Sequence, residues 1–216
     1  MQIKELIDYL DYRFPYDTAS DFDTSIGFAI GSKSIEVNKV LLALDLTLDV
    51  AKEAKEKGCN LIITHHPFLF NPINKIIFDS PQGTIIKFLC DNNISIYSMH
   101  TNLDVAVGGV NDSLAKMLGI EFNHTEALKD NMLVYGKIKA CCLEDLVKKV
   151  KDVYKLSGVR VVGDLNKKIN MAGVIGGAGA SIYNINDAIK KGCDVLITGE
   201  VHLDKAIYAN PVLFLE

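Results

Sequence analysis

Two short runs in this sequence carry residue types that suit a divalent cation. His65 and His66 are adjacent in the run Thr64-His65-His66-Pro67, and His100 and Asp104 bracket the run HTNLD at 100–104. Neutral imidazole and carboxylate are the donors that borderline divalent ions such as Zn, Mn, Fe, Co and Ni accept. Adjacent histidines on an extended chain point to opposite sides. In a tight loop after a strand they can instead straddle two ions, one each, with Asp104 as the bridging carboxylate. Two ions about 3.5–4 Å apart lower the pKa of a shared water and make it a nucleophile near neutral pH. The chemistry this pattern points to is metal-assisted hydrolysis.

Each residue also has a plainer reading. A lone loop histidine is usually only polar, although an HHP triplet directly after an apolar strand is harder to place that way. Asp104 would otherwise close an Asx-type turn or cap a helix. His100 either ligates or orients Asp104 through its ring. Asp45 either orients a ligand or caps a helix. Asp45 and His100 are the two candidates for steering protons. Glu200 and His202, which follow the apolar run 195–197, are candidate substitute ligands. Asn111 and Asp112 read as the start of a helix, and His124, in a polar linker, as exposed. The turn GGAGAS at 176–181 could cradle an anion on Gly177, Gly179 and Ser181. It lacks the GK[ST] ending and the GxGxxG pattern, so a tight strand-to-helix turn is its plainer reading.

The elements that must position these residues follow from the apolar pattern. Ile3, Leu6, Ile7 and Leu10 have helical spacing, and Pro15 ends that helix. A strand is expected at 27–31. The run KVLLALDL at 39–46 is nearly continuous, which predicts a strand covered on both faces as in a parallel sheet. A helix follows at 49–57 with Gly58 as its cap. Strand 61–63, a helix near 82–92, strand 94–99 and helix 110–118 continue the alternation, which predicts a parallel α/β sheet. The second half offers strand 132–138, helix 143–154, strands 159–162 and 169–175, helix 182–191 and strand 195–197. A soft boundary near 125–130 gives two lobes, 1–125 carrying HHP and HTNLD, and 126–216. An internal echo links them: AKEKGCNLIITHH at 54–66 against AIKKGCDVLITGE at 188–200. Each is a helix end, a Gly cap, a Cys, an apolar strand and a Thr, as a duplicated α/β unit would give. Asp45, His65, His66, His100, Glu200 and His202 all follow strands, where open parallel sheets hold their ligands.

Composition narrows the rest. The chain has 216 residues, 49% of them hydrophobic, enough for one large core or two small ones. A net charge of −4 argues against a nucleic-acid surface, which needs clustered Lys and Arg. The N-terminus does not read as a secretory signal, so none is expected, and no apolar run approaches the roughly 20 residues that cross a bilayer. No membrane contact and a cytoplasmic location are therefore expected. The five cysteines form no CxxC pair and read as reduced, mostly buried thiols.

THHPFLF at 64–70, HTNLD at 100–104 with GGVND at 108–112, and ITGE at 197–200 resemble the GTP cyclohydrolase I type 2 homolog family, also called the Nif-three-like proteins. ALDLTLDV at 43–50, GGAGAS, and FDTSIGFAIG at 22–31 are similar as well, although the family's aromatic-Asp-Asn start stands here as Phe22-Asp23-Thr24. The resemblance runs from the N-terminus to about residue 206. It implies two related α/β lobes with mostly parallel sheets, a dinuclear metal centre in a cleft between them, and a ring-shaped homo-oligomer, typically a hexamer. It places the first-half ligands at His65, His66 and Asp104. The family's remaining ligands lie in a C-terminal GHxxSE-like motif, and this chain stops at NPVLFLE, where the strand before that motif should run. An incomplete, weaker site is then expected, with Glu200 or His202 as substitutes, though His202 does not align with the family's own histidine. Three functions follow: a metal-dependent hydrolase of a small nucleotide-like or phosphorylated substrate, a non-catalytic metal-binding scaffold or interaction module on a ring oligomer, or a nucleotide-binding module built on GGAGAS. The family name suggests ring opening of GTP, but nothing in these residues reads guanine.

Overall fold

Short apolar runs separated by helices build two sheets in a computed structural model that describes residues 1–124, 132–209 and the backbone of 213–215. The chain groups into two compact units, Met1–Leu103 and Asp104–Glu216. The boundary expected near 125–130 lies outside the described residues.

The first unit opens with helix α1 (Ile3–Arg13), whose first turn is closed by Glu5 accepting from the Gln2 amide. Strand β1 (Gly27–Ile30), strand β2 (Val40–Ala43), helix α2 (Leu48–Glu56), strand β3 (Leu61–Thr64), helix α3 (Pro81–Asp91) and strand β4 (Ser95–Ser98) follow. The single helical turn α4 (Thr101–Asp104) comes directly after β4. The strand order is β1-β4-β3-β2, with β2, β3 and β4 parallel and β1 antiparallel to β4. Thr47 caps α2 by accepting from Val50, and Ser80 caps α3 by accepting from Gly83 behind Pro81. Successive residues of a strand face opposite ways, so β3 feeds two cores. Leu61 and Ile63 join Tyr97, Ile3 and Ile7 on one face, and Ile62 joins Ile96, Ala51, Ala54 and Leu89 on the other.

The run at 39–46 departs from expectation. The strand β2 forms, but Leu42 is 73% and Leu44 60% exposed. It is the edge strand of the sheet, where continuous apolarity does not mean cover on both faces. The covered strands are its neighbours β3 and β4, buried throughout.

The second unit contains helix α5 (Val110–Met117), strand β5 (Val134–Cys142), helix α6 (Leu143–Tyr154), strands β6 (Val161–Val162) and β7 (Lys168–Ile175), helix α7 (Ile182–Lys190), strand β8 (Val195–Thr198), helix α8 (Leu203–Tyr208) and strand β9 (Leu213–Leu215). Its strand order is β5-β7-β8-β9-β6. The β7–β8 and β8–β9 pairs are parallel, and β5 and β6 pair antiparallel. Val195 and Ile197 pack with Leu143, Leu146 and Val150 of α6, while Leu196 packs with Ile185 and Ala188 of α7. The fold is mixed α/β with two mostly parallel sheets, as expected. Among the described residues no helix is long and apolar enough to cross a membrane.

The echo is real at the level of single hydrogen bonds. After α2, the Gly58 amide donates to Lys55 and the Cys59 amide to Ala54; after α7, Gly192 donates to Ile189 and Cys193 to Ala188. Both glycines have positive φ, 69° and 75°, the left-handed cap that only Gly adopts without strain. Each half thus ends its helix with the same cap and buries the cysteine that leads into the next strand.

Candidate metal centre

The ends of β3 and β4 lie in register, Thr64 opposite Ser98, with their hydroxyls 2.8 Å apart. The residues after each end therefore emerge side by side. The amides of His65 and His66 go on pairing with the carbonyls of Ala43 and Leu44, at 3.2 and 3.0 Å. The Thr64 hydroxyl donates to the His66 carbonyl at 2.9 Å, curling the chain. The two rings end 5.0 Å apart, centre to centre. His100, directly after β4, places its ring 5.2 Å from that of His65 and 5.7 Å from that of His66. One ring nitrogen from each of the three histidines lies within 4.8 Å of the other two.

Two rings are held by carboxylates. Nδ1 of His66 lies 2.8 Å from Asp45 Oδ1, and Nδ1 of His100 lies 2.8 Å from Asp23 Oδ2. An ionised carboxylate only accepts, so the form of each ring that makes this hydrogen bond is the one with a proton on Nδ1, with Nε2 turned away from the carboxylate. Burial, then the charges of His100 and His66, hold His65 down at about 4, against the opposing pull of a Met99 backbone hydrogen bond and Asp23. That imidazole is neutral across the physiological range. Three clustered imidazoles, two braced from behind, are a donor set that fits a borderline divalent ion.

The other expected residues are placed as follows. Asp45 braces His66 and is not a cap, since Thr47 caps α2. Asp104 closes α4, one turn beyond His100, is buried, and falls in the second unit. Glu200 and His202 are exposed in the second unit, their side chains 3.4 Å apart. In the glycine turn, the Gly179 amide donates to Thr198 Oγ1, the Ser181 hydroxyl caps α7 through Asn184, and the Gly177 carbonyl accepts from the Gly199 and Glu200 amides. These groups serve the turn itself, which accords with its plainer reading. Asn111 bridges the Gly176 amide and the Met132 carbonyl, and Asp112 accepts from Gly108 at the start of α5. His124 is not exposed: its side chain is 4% accessible and pairs with Asp112 at 2.6 Å. A polar linker said nothing of that specific partner.

Asp23 and Thr101 escaped the sequence reading. Asp23 lies 77 residues before His100 in a polar loop, and the only signal for it was its place in FDTSIG. An open depression of about 670 Å³, lined by Lys39, Val40, Leu41, Glu56, Lys57 and Cys59, sits toward the opposite strand ends of the same sheet. Those ends are not where parallel sheets place ligands.

The model of the Duf34/NIF3 (NGG1p interacting factor 3) family matches residues 1–212. A GTP cyclohydrolase 1 type 2 homolog from Clostridium acetobutylicum is 36% identical over 208 residues, covering 93% of this chain and 76% of the relative. Its counterpart from Clostridium perfringens is 34% identical, covering 93% and 78%. The Staphylococcus aureus hypothetical protein SA1388 superposes with a TM-score of 0.90 at 30% identity over 100% of this chain and 85% of that one. A Bacillus cereus protein related to NIF3 gives a TM-score of 0.90 at 26% identity, covering 100% and 87%. The motifs, the two sheets and these matches agree, and the chain belongs to the Duf34/NIF3 family.

Proposed function

We propose that this chain binds two divalent metal ions and acts as a metal-dependent hydrolase on a small nucleotide-like or phosphorylated substrate. The observation that carries the reading is the convergence of His65, His66 and His100 at two adjacent strand ends. His65 and His66 hold the ions, with Asp104 as the carboxylate ligand that the family resemblance implies. Bound ions of this class supply charge that stabilises developing negative oxygen and activates water. The chain's own part is to present neutral nitrogen donors in fixed orientation. Asp45 pairs with Nδ1 of His66 and is the candidate for steering protons, and His100 stands beside the two as a third nitrogen donor. The relatives' name, GTP cyclohydrolase 1 type 2 homolog, makes nucleotides the first substrates to assay.

A second reading is a metal-binding scaffold on a ring oligomer, in which the homohexamer is the working form. Exposed Leu42 on the edge strand β2 and Leu44 just beyond it favour self-association, because exposed apolar patches mark surfaces that partners cover. Free thiols at all five cysteines accord with a cytoplasmic home.

Elemental analysis of the purified chain, of His65→Ala and of Asp104→Ala tests the metal reading. The native chain should carry metal and both variants should lose most of it. Full metal content in His65→Ala would overturn the proposal. A hydrolysis panel on metal-loaded chain then divides the readings: turnover that His65→Ala abolishes supports the enzyme, and metal without turnover supports the scaffold.

A further inference from the structure

We propose that Asp23 is a positioning residue: it locks His100 in the tautomer protonated at Nδ1, which fixes Nε2 as that ring's donor atom. The Asp23 side chain is 0% exposed, and His100 is 18% exposed. Three donors converge on the single oxygen Oδ2: His100 Nδ1 at 2.8 Å, the Thr101 amide at 3.1 Å and the Thr101 hydroxyl at 2.7 Å. Oδ1 accepts no hydrogen bond. Burying a carboxylate is costly unless its donors are well placed, and here every donor comes from the His100-Thr101 pair. The pair is itself pinned. The Thr101 hydroxyl accepts from the Ser20 amide, and the Asn102 side chain accepts from the His100 amide and donates to the Phe14 carbonyl. Water has little access to this ring, so the buried carboxylate decides which nitrogen holds the proton. The use made of Nε2 rests on the proposed metal function; the tautomer does not.

The test is long-range proton–nitrogen NMR on the 15N-labelled, metal-free full chain at about pH 8, above the usual imidazole range, joined to Co(II) titration. Native His100 should be protonated at Nδ1. An Asn oxygen would still accept the same three donors, so the variant is Asp23→Ala, which removes the acceptor at Nδ1: the Nδ1–H form should lose its hold and the Nε2–H form should gain. His65 and His66 should keep their native signals, and Co(II) affinity should fall about ten- to hundredfold. A native His100 protonated at Nε2 overturns the proposal even if Asp23→Ala does not fold, and so does an unchanged tautomer in a folded Asp23→Ala. His100 protonated at Nδ1 in a native chain that takes up no Co(II) supports the positioning role and sinks the metal reading alone.

Discussion

Asp45 holds His66 across the same 2.8 Å that separates Asp23 from His100, yet the two pairs live in different solvents. The Asp45 and His66 side chains are 58% and 46% exposed. Water and salt compete for such a pair, which limits its worth. Asp45→Ala should therefore weaken metal binding by about tenfold or less, the low end for residues that orient ligands, and its effect should shrink as ionic strength rises. Competitive metal titration at low and high salt checks this. An Asp45→Ala loss as large as that of Asp23→Ala would show that exposure does not separate the two pairs.

The low pKa of His65 makes the metal-free chain sensitive to mild acid. Burial, reinforced by His100 and His66, takes this ring from 6.5 to about 4. Between those values the unfolded chain binds a proton at this site and the folded chain does not. The unfolded state is thus favoured progressively as pH falls from about 6.5 to about 4, and this contribution levels off below. Urea denaturation of the metal-free chain at about pH 7 and about pH 4.5 should show stability dropping, with a smaller drop in His65→Gln. Equal drops in the two proteins would mean that His65 is not the group responsible.

The helices and strands were legible because burial follows period. Leu143, Leu146 and Val150 mark the inner face of α6, and the repeated Gly-Cys step after α2 and α7 announced the same cap twice. Strand order was not legible. Nothing in KVLLALDL says that β2 lies at an edge with Leu42 in solvent. The candidate site was half legible. His65 and His66 advertise themselves by adjacency, whereas Asp23 reaches His100 only through the fold. His124 shows the same limit, since its partner Asp112 sits 12 residues away on α5.

Gly31 should tolerate no side chain. Its φ is +112°, and a Cβ there would sit 2.3 Å from Ser95 Oγ and 2.7 Å from Ser95 Cα. That serine opens β4, the strand that delivers His100, and its hydroxyl receives the Ser32 amide at 3.3 Å. Backbone strain and overpacking add, so Gly31→Ala should cost roughly 1–3 kcal/mol or more. Urea midpoints at unchanged m-value measure it. A loss under about 0.5 kcal/mol, the range of ordinary surface changes, would show that β1 and β4 can part without penalty.

Thiol labelling should rank the cysteines by burial. Cys90 is exposed on α3, Cys141 and Cys142 are half-buried at the end of β5, and Cys59 and Cys193 are buried behind their glycine caps. The thiolate is the reactive form, and burial, aided by Asp194 and Asp187, pushes Cys193 up to about 12. Cys90 should be modified first and Cys193 only on unfolding, as read by peptide mass mapping over time. The same shift gives an alkaline limit. Above about pH 9 the unfolded chain loses the Cys193 proton while the folded chain keeps it, so stability should fall as pH rises toward 12. Cys193→Ala should lose that part of the alkaline slope, and early labelling of Cys193 in the native chain would mean that the strand entering β8 opens far more readily than its packing allows.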